Sequence, residues 1–229
     1  YSHTHQPHCI DLVQQIFTQL DKAGHIAKKT IMQAYDKEKG LFLPDRYVKG
    51  TCPRCGTTDQ YGDNCDQCGA TYSPMDLINP ISILSNTAPI EKASEHYFLK
   101  LADMQVALRQ WLETAPLQRS VKNKLLEWFQ AELRDWDISR DAPYFGVPIP
   151  GTLNKYFYVW LDAPIGYFGI LAEYCDQQDD LSLEPFMDKH STIELVHFIG
   201  KDITYFHGLF WPALLLGADL KTPTAVYAH

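Results

Sequence analysis

The residues best suited to chemistry are four cysteines in two closely spaced pairs. Cys52 and Cys55 form one C-x2-C pair, and Cys65 and Cys68 form a second pair after nine intervening residues. Two tight turns at this spacing can each offer two thiolates to one tetrahedral Zn²⁺ ion. Four thiolates fill the coordination sphere, so the spacing predicts one structural zinc ion per chain and not a catalytic metal.

A glycine follows each cysteine pair, at Gly56 and Gly69. Glycine allows the backbone to turn with positive φ and to direct main-chain N–H groups toward the sulfur atoms, which orients metal ligands. Two disulfides or four unrelated core cysteines are the alternatives, and the spacing in a cytoplasmic chain favours zinc. Cys9 and Cys175 are interpreted as unpaired thiols in or near the core.

A second candidate site lies in the aromatic run KYFYVWLDAPIGY, residues 155–167, which is interrupted at Asp162-Ala163-Pro164. We predict a buried strand over residues 156–161, because continuous apolar runs suit parallel strands covered on both faces. Ligands in open α/β sheets bind beyond the carboxyl ends of such strands. A small apolar ligand is therefore expected near four residues: Trp160, Ala163, Pro164 and Tyr167.

The segment LVHFIGKDITYFHGLFWP, residues 195–212, is expected at the same sheet edge. Its pattern predicts a strand over residues 193–199 that enters a helix at residues 200–204. Asp202 lies at that junction, where an acidic residue beyond a parallel strand can bind ribose hydroxyls.

The helix after this junction carries further candidate residues. Phe206, His207 and Trp211 follow at one-turn spacing and are expected to face the apolar pocket. His207 is interpreted as a specificity contact and not as a proton shuttle. His197 lies within the strand and is interpreted as a buried, hydrogen-bonded histidine.

The rest of the chain must position these residues, and its periodicity predicts an α/β fold. Strands that alternate with helices in the last third indicate parallel βαβ units. Gly24 and Pro116 mark expected helix boundaries. The predicted helices cover residues 9–20, 101–114, 120–133 and 169–176; the predicted strands cover 95–99, 156–161, 193–199 and 224–229; a hairpin turn is predicted at 37–40.

Composition and charge limit the possible functions. The chain of 229 residues is 45% hydrophobic, which is enough for a well-formed core. Its net charge of −8 argues against nucleic-acid binding over the whole surface, since phosphate contacts need clustered Lys and Arg. No apolar stretch reaches the ~18 residues of a membrane span. We expect a cytoplasmic protein without a membrane partner, and a fragment of a longer chain.

Four stretches together resemble bacterial methionyl-tRNA synthetases, which belong to the class I aminoacyl-tRNA synthetases. They are the cysteine module with its flanks at residues 40–74, the run WDISRDAPYFG at 136–146, and the two segments at 155–167 and 195–212. The resemblance covers essentially the whole chain. It implies part of a Rossmann-like catalytic domain with a parallel sheet, interrupted by a small β-rich zinc-knuckle insertion domain.

The resemblance also implies domain boundaries. Residues 1–23 would end the first half of the Rossmann-like catalytic domain, and residues 156–229 would form its second half. Residues 24–155 would be the insertion, with the zinc knuckle at residues 52–68.

By the same resemblance, eight residues correspond to positions that form or shape the methionine pocket of the family: Trp160, Ala163, Pro164, Tyr167, Ile203, Phe206, His207 and Trp211. The physical chemistry agrees, because a polarizable thioether gains about 0.3–1.5 kcal/mol from an aromatic contact. A Tyr hydroxyl or a His nitrogen can also hydrogen-bond its sulfur.

Two charged residues, Arg140 and Asp202, correspond to positions near the adenylate. An Arg there can stabilise a carboxylate or a phosphate by charge-assisted hydrogen bonds. An Arg–Asp pair that braces the domain junction is the other interpretation.

The implied activity is that of a methionine–tRNA ligase. Methionine would attack the α-phosphorus of ATP, which acts with Mg²⁺, and the methionyl group would then pass to tRNA(Met). No protein nucleophile is required, and no catalytic residue is assigned. The HIGH-type and KMSKS-type signatures that hold the ATP phosphates do not occur in this sequence. We therefore expect these residues alone to be inactive.

Two alternatives come from other classes of protein. One is a non-catalytic, zinc-dependent RNA-binding module, which the acidic balance disfavours. The other is a metal hydrolase that uses His197, Asp202 and His207, which the mixed strand and helix context disfavours.

Overall fold

A computed structural model describes residues 2–229, which form two compact units. The first unit comprises residues 2–27, 97–139 and 145–229, and the second comprises residues 28–96 and 140–144. Each unit has its own cluster of buried apolar side chains. The domain boundaries expected from the resemblance stay a prediction.

The α-helices, in chain order, are α1 (Pro7–Lys22), α2 (Leu101–Thr114), α3 (Arg119–Trp128), α4 (Val159–Cys175), α5 (Glu184–Met187) and α6 (Trp211–Gly217). The strands are β1 (Ile26–Asp36), β2 (Leu41–Phe42), β3 (Val48–Thr51), β4 (Gln60–Tyr61), β5 (Ile78–Ser82), β6 (Ile90–Leu99), β7 (Trp136–Asp137), β8 (Ser139–Asp141), β9 (Lys155–Phe157), β10 (Val196–Ile199) and β11 (Ala225–Ala228). Across residues 2–229, no helix combines the length and the apolar character needed to cross a membrane.

Helices α1 and α4 pack against each other in the first unit. The predicted helix at residues 9–20 is confirmed as α1, and Gly24 adopts the positive φ of +81° that allows the chain to turn after it. A side-chain carbon added to Gly169 of α4 would lie only 2.9 Å from the Cα atom of Cys9. The two helix backbones are therefore close enough that only glycine fits at this position.

The second unit is built from short antiparallel strands. The predicted hairpin turn is confirmed, because β1 pairs antiparallel with β2 and Gly40 has a φ of +69°. Strands β3, β4 and β5 form a three-stranded sheet in the order β4-β3-β5, and this sheet flanks the cysteine module. The predicted strand at residues 95–99 is the end of the longer β6.

The prediction of a strand over residues 156–161 is wrong. Strand β9 ends at Phe157 and α4 begins at Val159, so all four expected pocket residues of this run lie on one helix. Pro164 is in its second turn. Helix α4 is buried over most of its surface, and an apolar run without polar gaps has no periodicity that distinguishes a buried helix from a buried strand.

The C-terminal strands confirm the predicted parallel pairing, over fewer residues than expected. Strands β10 and β11 pair in parallel, with His197 opposite Val226. The chain then continues through a 3₁₀ turn at Lys201–Ile203 and a π-helical segment at Phe206–Phe210 into α6. The predicted strand–helix junction at residues 200–204 is therefore present.

Candidate functional site

The four cysteines of the second unit converge on one point. Their sulfur atoms all lie within 4.8 Å of one another. Cys52 Sγ is 3.9 Å from Cys68 Sγ, and Cys55 Sγ is 3.6 Å from Cys65 Sγ. Each pair contributes one buried and one exposed cysteine. This cluster could hold a metal ion through four sulfur ligands.

The sulfur geometry fits a tetrahedral zinc ion. A Zn–S distance of ~2.3 Å in a regular tetrahedron places neighbouring sulfur atoms about 3.8 Å apart, close to the observed 3.6 and 3.9 Å. A disulfide would need ~2.05 Å, and all four cysteines are free. The disulfide alternative is therefore wrong for this structure, and so is the alternative of unrelated cysteines.

The two halves of the cluster have the same backbone conformation. Gly56 and Gly69 have φ values of +76° and +66°. The Gly56 N–H donates to the Cys52 carbonyl at 3.1 Å, and the Gly69 N–H donates to the Cys65 carbonyl at 2.8 Å. The predicted positive φ is confirmed. Main-chain N–H groups do point at the sulfur atoms, but they do not come from either glycine. The Arg54 N–H donates to Cys52 Sγ at 3.4 Å, and the N–H groups of Thr57 and Ala70 donate to Cys55 and Cys68.

A second group of functional candidates lies in the first unit, where α4, β10 and the helical residues 201–217 meet. We call this group the aromatic cluster. It consists of Trp160, Tyr167, His197, Phe206, His207 and Trp211. The structure thus brings together five of the eight residues assigned to the pocket, together with His197.

The polar centre of the aromatic cluster is a chain of two hydrogen bonds. The Tyr167 hydroxyl lies 2.8 Å from His207 Nε2, and His207 Nδ1 lies 3.1 Å from the Ile203 carbonyl. Because a carbonyl only accepts, His207 carries its proton on Nδ1, and Nε2 accepts the Tyr167 O–H. Burial lowers the pKa of His207, although the bond to Ile203 opposes this shift, so the ring is neutral at pH 7. Burial likewise raises the pKa of Tyr167.

The rings around this centre make close contacts. Trp160 stacks on Phe206 with ring centres 3.9 Å apart and planes 6° apart. Trp160 also meets His207 edge-on at 6.1 Å. Tyr167 is 42% exposed, whereas His207 and Trp211 are fully buried. The cluster therefore presents aromatic faces and one hydroxyl near the surface, above a buried histidine.

The remaining pocket candidates lie beside these residues. Ala163 is half-buried and Pro164 is buried, both on α4 between Trp160 and Tyr167. Ile203 is half-buried and supplies the carbonyl that fixes the His207 ring. His207 lies in the π-helical segment, a geometry that is frequent at functional sites.

The two charged candidates lie in different units. Arg140 is on β8 in the second unit, where burial and then Asp63 raise the pKa of Asp45 and the charge of Arg140 partly opposes that rise. Asp202 is exposed in the first unit, and its Oδ1 would lie 2.6 Å from a side-chain carbon added to Gly200. Their assignment to the adenylate remains a prediction.

Sequence reasoning gave no role to Asp162, which is 6% exposed at the start of α4. Its Oδ1 is fully buried and has no hydrogen-bond partner within residues 2–229. Burial raises the pKa of Asp162 to about 7, against the effect of main-chain N–H groups of Ala163 and of Asp162 itself. Nothing in the local sequence distinguishes this aspartate from an exposed one.

Two surface concavities lie away from the aromatic cluster. One of about 630 Å³ runs along the polar face of α1 beside Pro150, and one of about 260 Å³ lies beside Trp111 and Pro223. No residue of the aromatic cluster lines either of them. The stacked rings of Trp160 and Phe206 bring α4 into contact with the helical residues 201–217.

The hydrolase alternative receives no support. Within residues 2–229, the four cysteines are the one group of three or more potential ligands close enough to hold a metal. His197 and His207 are both hydrogen-bonded to protein partners.

With the geometry established, comparison with known proteins identifies the family. The family model for tRNA synthetases class I (M) matches residues 1–229. The chain belongs to this family of class I tRNA synthetases, and the family resemblance noted from the sequence is confirmed.

The fold is similar to that of solved Mycobacterium tuberculosis methionyl-tRNA synthetases. Two of these structures hold methionyl-adenylate and match with TM-scores of 0.66 and 0.65, and an apo form matches with 0.63. Each is 21% identical and covers 100% of this chain. The chain in turn spans only 39–40% of theirs. The predicted α/β class is confirmed, and β10 and β11 form a parallel pair.

Proposed function

We propose that these residues form the amino-acid-recognition part of a methionine–tRNA ligase. The observation that carries this proposal is the Tyr167 hydroxyl, 2.8 Å from His207 Nε2 and next to the stacked rings of Trp160 and Phe206. An aromatic lining with one polar pair suits a thioether side chain. Family membership and the methionyl-adenylate held by structurally similar enzymes support the same function.

Selectivity for methionine follows from polarizability and hydrogen bonding. Sulfur gains about 0.3–1.5 kcal/mol from each aromatic contact, whereas a branched aliphatic chain lacks this interaction and differs in shape. The Tyr167 hydroxyl carries one proton, which it donates to His207 Nε2, so a ligand sulfur would have to share that donor as a second, weaker acceptor. Leucine offers neither a polarizable sulfur for the rings nor an acceptor for the hydroxyl, so the site would discriminate against it.

The chemistry of the whole enzyme would be adenylation followed by transfer. A methionine carboxylate oxygen forms a bond to the α-phosphorus of ATP, and the bond from that phosphorus to the pyrophosphate oxygen breaks. The 3′-terminal ribose hydroxyl of tRNA(Met) then takes the methionyl group and releases AMP. The protein would contribute positioning and charge stabilisation, with Arg140 and Asp202 proposed near the adenylate. ATP would act with Mg²⁺, in the cytoplasm.

The phosphate-holding signatures of class I synthetases are not among these 229 residues. We therefore propose that methionine recognition can be separated from activation, and that residues 1–229 alone do not catalyse methionine-dependent pyrophosphate exchange. Robust exchange by this chain would contradict that proposal.

The cysteine cluster would hold a structural zinc ion in the same protein. Cys52, Cys55, Cys65 and Cys68 would supply all four ligands, so the ion would have no open position for a substrate or water. The ion would cross-link two turns that are too short to fold by apolar burial alone.

Methionine binding to the purified chain, measured by isothermal titration calorimetry with leucine as the comparison ligand, tests the recognition proposal. Tyr167→Phe should weaken methionine binding about two- to tenfold, the value of one hydrogen bond. His207→Ala should weaken it at least as much, since it removes both the acceptor and a ring.

Matched controls separate this effect from general destabilisation. Tyr174→Phe alters a 53% exposed tyrosine of the same helix, and His190→Ala alters an exposed histidine. Both controls should bind like the parent chain. Equal binding of methionine and leucine, or unchanged binding by the Tyr167 and His207 variants, would contradict the proposed function.

A further inference from the structure

The aromatic cluster contains a second hydrogen-bonded histidine. Trp211 Nε1 donates to His197 Nε2 at 3.1 Å, and Trp211 is fully buried. An indole N–H can only donate, so His197 Nε2 must accept and carries no proton. The contact therefore fixes His197 in one form, neutral with its proton on Nδ1.

His197 stands directly beside the polar pair of the cluster. Its ring centre is 5.1 Å from that of Tyr167 and 5.4 Å from that of His207. It is 7% exposed and is held on β10, which is paired with β11. The His197 ring thus links a rigid strand to the two side chains proposed to recognise the ligand.

Trp211 supports the same arrangement from the start of α6, which directly follows the π-helical segment that carries His207. Its ring lies 5.6 Å from that of Phe168 on α4, so it is fixed between two helices. Without an acceptor on His197, the indole N–H would be left buried and unpaired, which is costly enough to displace a side chain or admit water. Either change would displace the His197 ring and, through its contacts, the side chains of Tyr167 and His207.

We propose that His197 is a positioning residue for amino-acid selectivity: by accepting the indole N–H of Trp211, it holds the Tyr167–His207 pair in the arrangement that distinguishes methionine from leucine. This inference rests on the proposed function of the cluster.

Three variants separate the hydrogen bond from simple packing. His197→Gln places an amide oxygen near the position of Nε2 and can keep the bond, whereas His197→Leu keeps similar bulk without an acceptor. Trp211→Phe removes the donor. The ratio of methionine to leucine affinity is the readout, because uniform destabilisation lowers both affinities and leaves the ratio unchanged.

We expect His197→Gln, which can keep the hydrogen bond from Trp211, to behave like the unaltered chain. His197→Gln should retain methionine affinity within about threefold, and His197→Leu and Trp211→Phe should lose about tenfold with a reduced methionine-to-leucine ratio. In the unaltered chain, ¹⁵N NMR should show His197 as the Nδ1–H tautomer. Thermal melts identify any variant that has not folded.

A folded His197→Leu chain with an unchanged ratio would overturn the inference, and so would an Nε2–H tautomer at His197. The tautomer measurement needs no ligand and remains decisive if a variant fails to fold. If the unaltered chain binds no methionine, the proposed function fails. If it binds methionine selectively and the variants do so equally, only the role of His197 fails.

Discussion

Replacing Asp162 by asparagine should change how the stability of the first unit depends on pH. Burial of this carboxyl raises its pKa from 3.8 to about 7. Three pKa units at 1.36 kcal/mol each give roughly 4 kcal/mol, and partial solvent screening reduces this to about 2 kcal/mol. Cys9 faces the same carboxyl, and its own raised pKa of about 11, due to burial and then to Asp162, keeps it neutral over this range.

The direction of the pH dependence follows from the linkage between protonation of Asp162 and folding. The folded state favours the protonated carboxyl, so its advantage is complete below pH 3.8 and is lost as the pH rises through about 7. Asparagine does not ionise, so Asp162→Asn should gain about 2 kcal/mol relative to the parent chain between pH 4 and pH 8.

Urea denaturation followed by tryptophan fluorescence at pH 4 and pH 8 measures this difference directly. Asp180→Asn, which alters an exposed aspartate, is the control and should show no such trend. An equal free-energy difference between Asp162→Asn and the parent chain at both pH values would contradict this prediction, and so would a variant that becomes relatively less stable at pH 8.

Three further predictions concern the metal, the helix contact and the hairpin. The chain should bind one equivalent of zinc. Chelation or Cys55→Ser should lower the melting temperature of the second unit first, since structural zinc sites contribute on the order of 10 kcal/mol to folding. A calorimetric trace that is unchanged after chelation would contradict this. Gly169→Ala should destabilise the first unit by about 1–3 kcal/mol in thermal melts, because the new methyl group would meet the Cα of Cys9 at 2.9 Å; a neutral effect would show that the helices can separate. Burial acts to raise the pKa of Asp36, but hydrogen bonds from Ser82 and nearby groups lower it to about 2. The ionised carboxylate therefore stabilises the fold above pH 3.8, and this effect is lost as the pH falls toward 2. Asp36→Asn should make the free energy of unfolding depend less on pH between about pH 4 and pH 2, and an unchanged dependence would refute this.

Local patterns in the sequence predicted the elements that depend on local interactions. The apolar spacing over residues 101–114 predicted α2 with the observed bounds, because one face of the helix is buried and the other is not. The predicted helix over residues 120–133 stops earlier, at Trp128, yet Phe129 and Leu133 are buried beyond its end. The apolar spacing therefore continued past the end of the helix because Phe129 and Leu133 are buried without being helical.

In the candidate sites too, the features set by neighbouring residues were predictable and those set by packing between distant residues were not. The cysteine cluster was predictable because its ligands lie in two short turns whose spacing limits the geometry. The helical context of Trp160 and Tyr167 was not predictable, since a fully apolar run fits a buried helix and a buried strand equally well. The bond from Trp211 to His197 joins residues on different elements, so packing and not sequence spacing determines it.

The proposal that methionine binds at the aromatic cluster can be tested through the indole N–H resonances of the five tryptophans. In ¹H–¹⁵N NMR titrations, methionine should shift the signals of Trp160 and Trp211 and leave that of Trp111, whose indole donates to Pro223, in place. Leucine at the same concentration should shift none of these three. Methionine shifts at Trp111 alone, or equal shifts with leucine, would contradict the account.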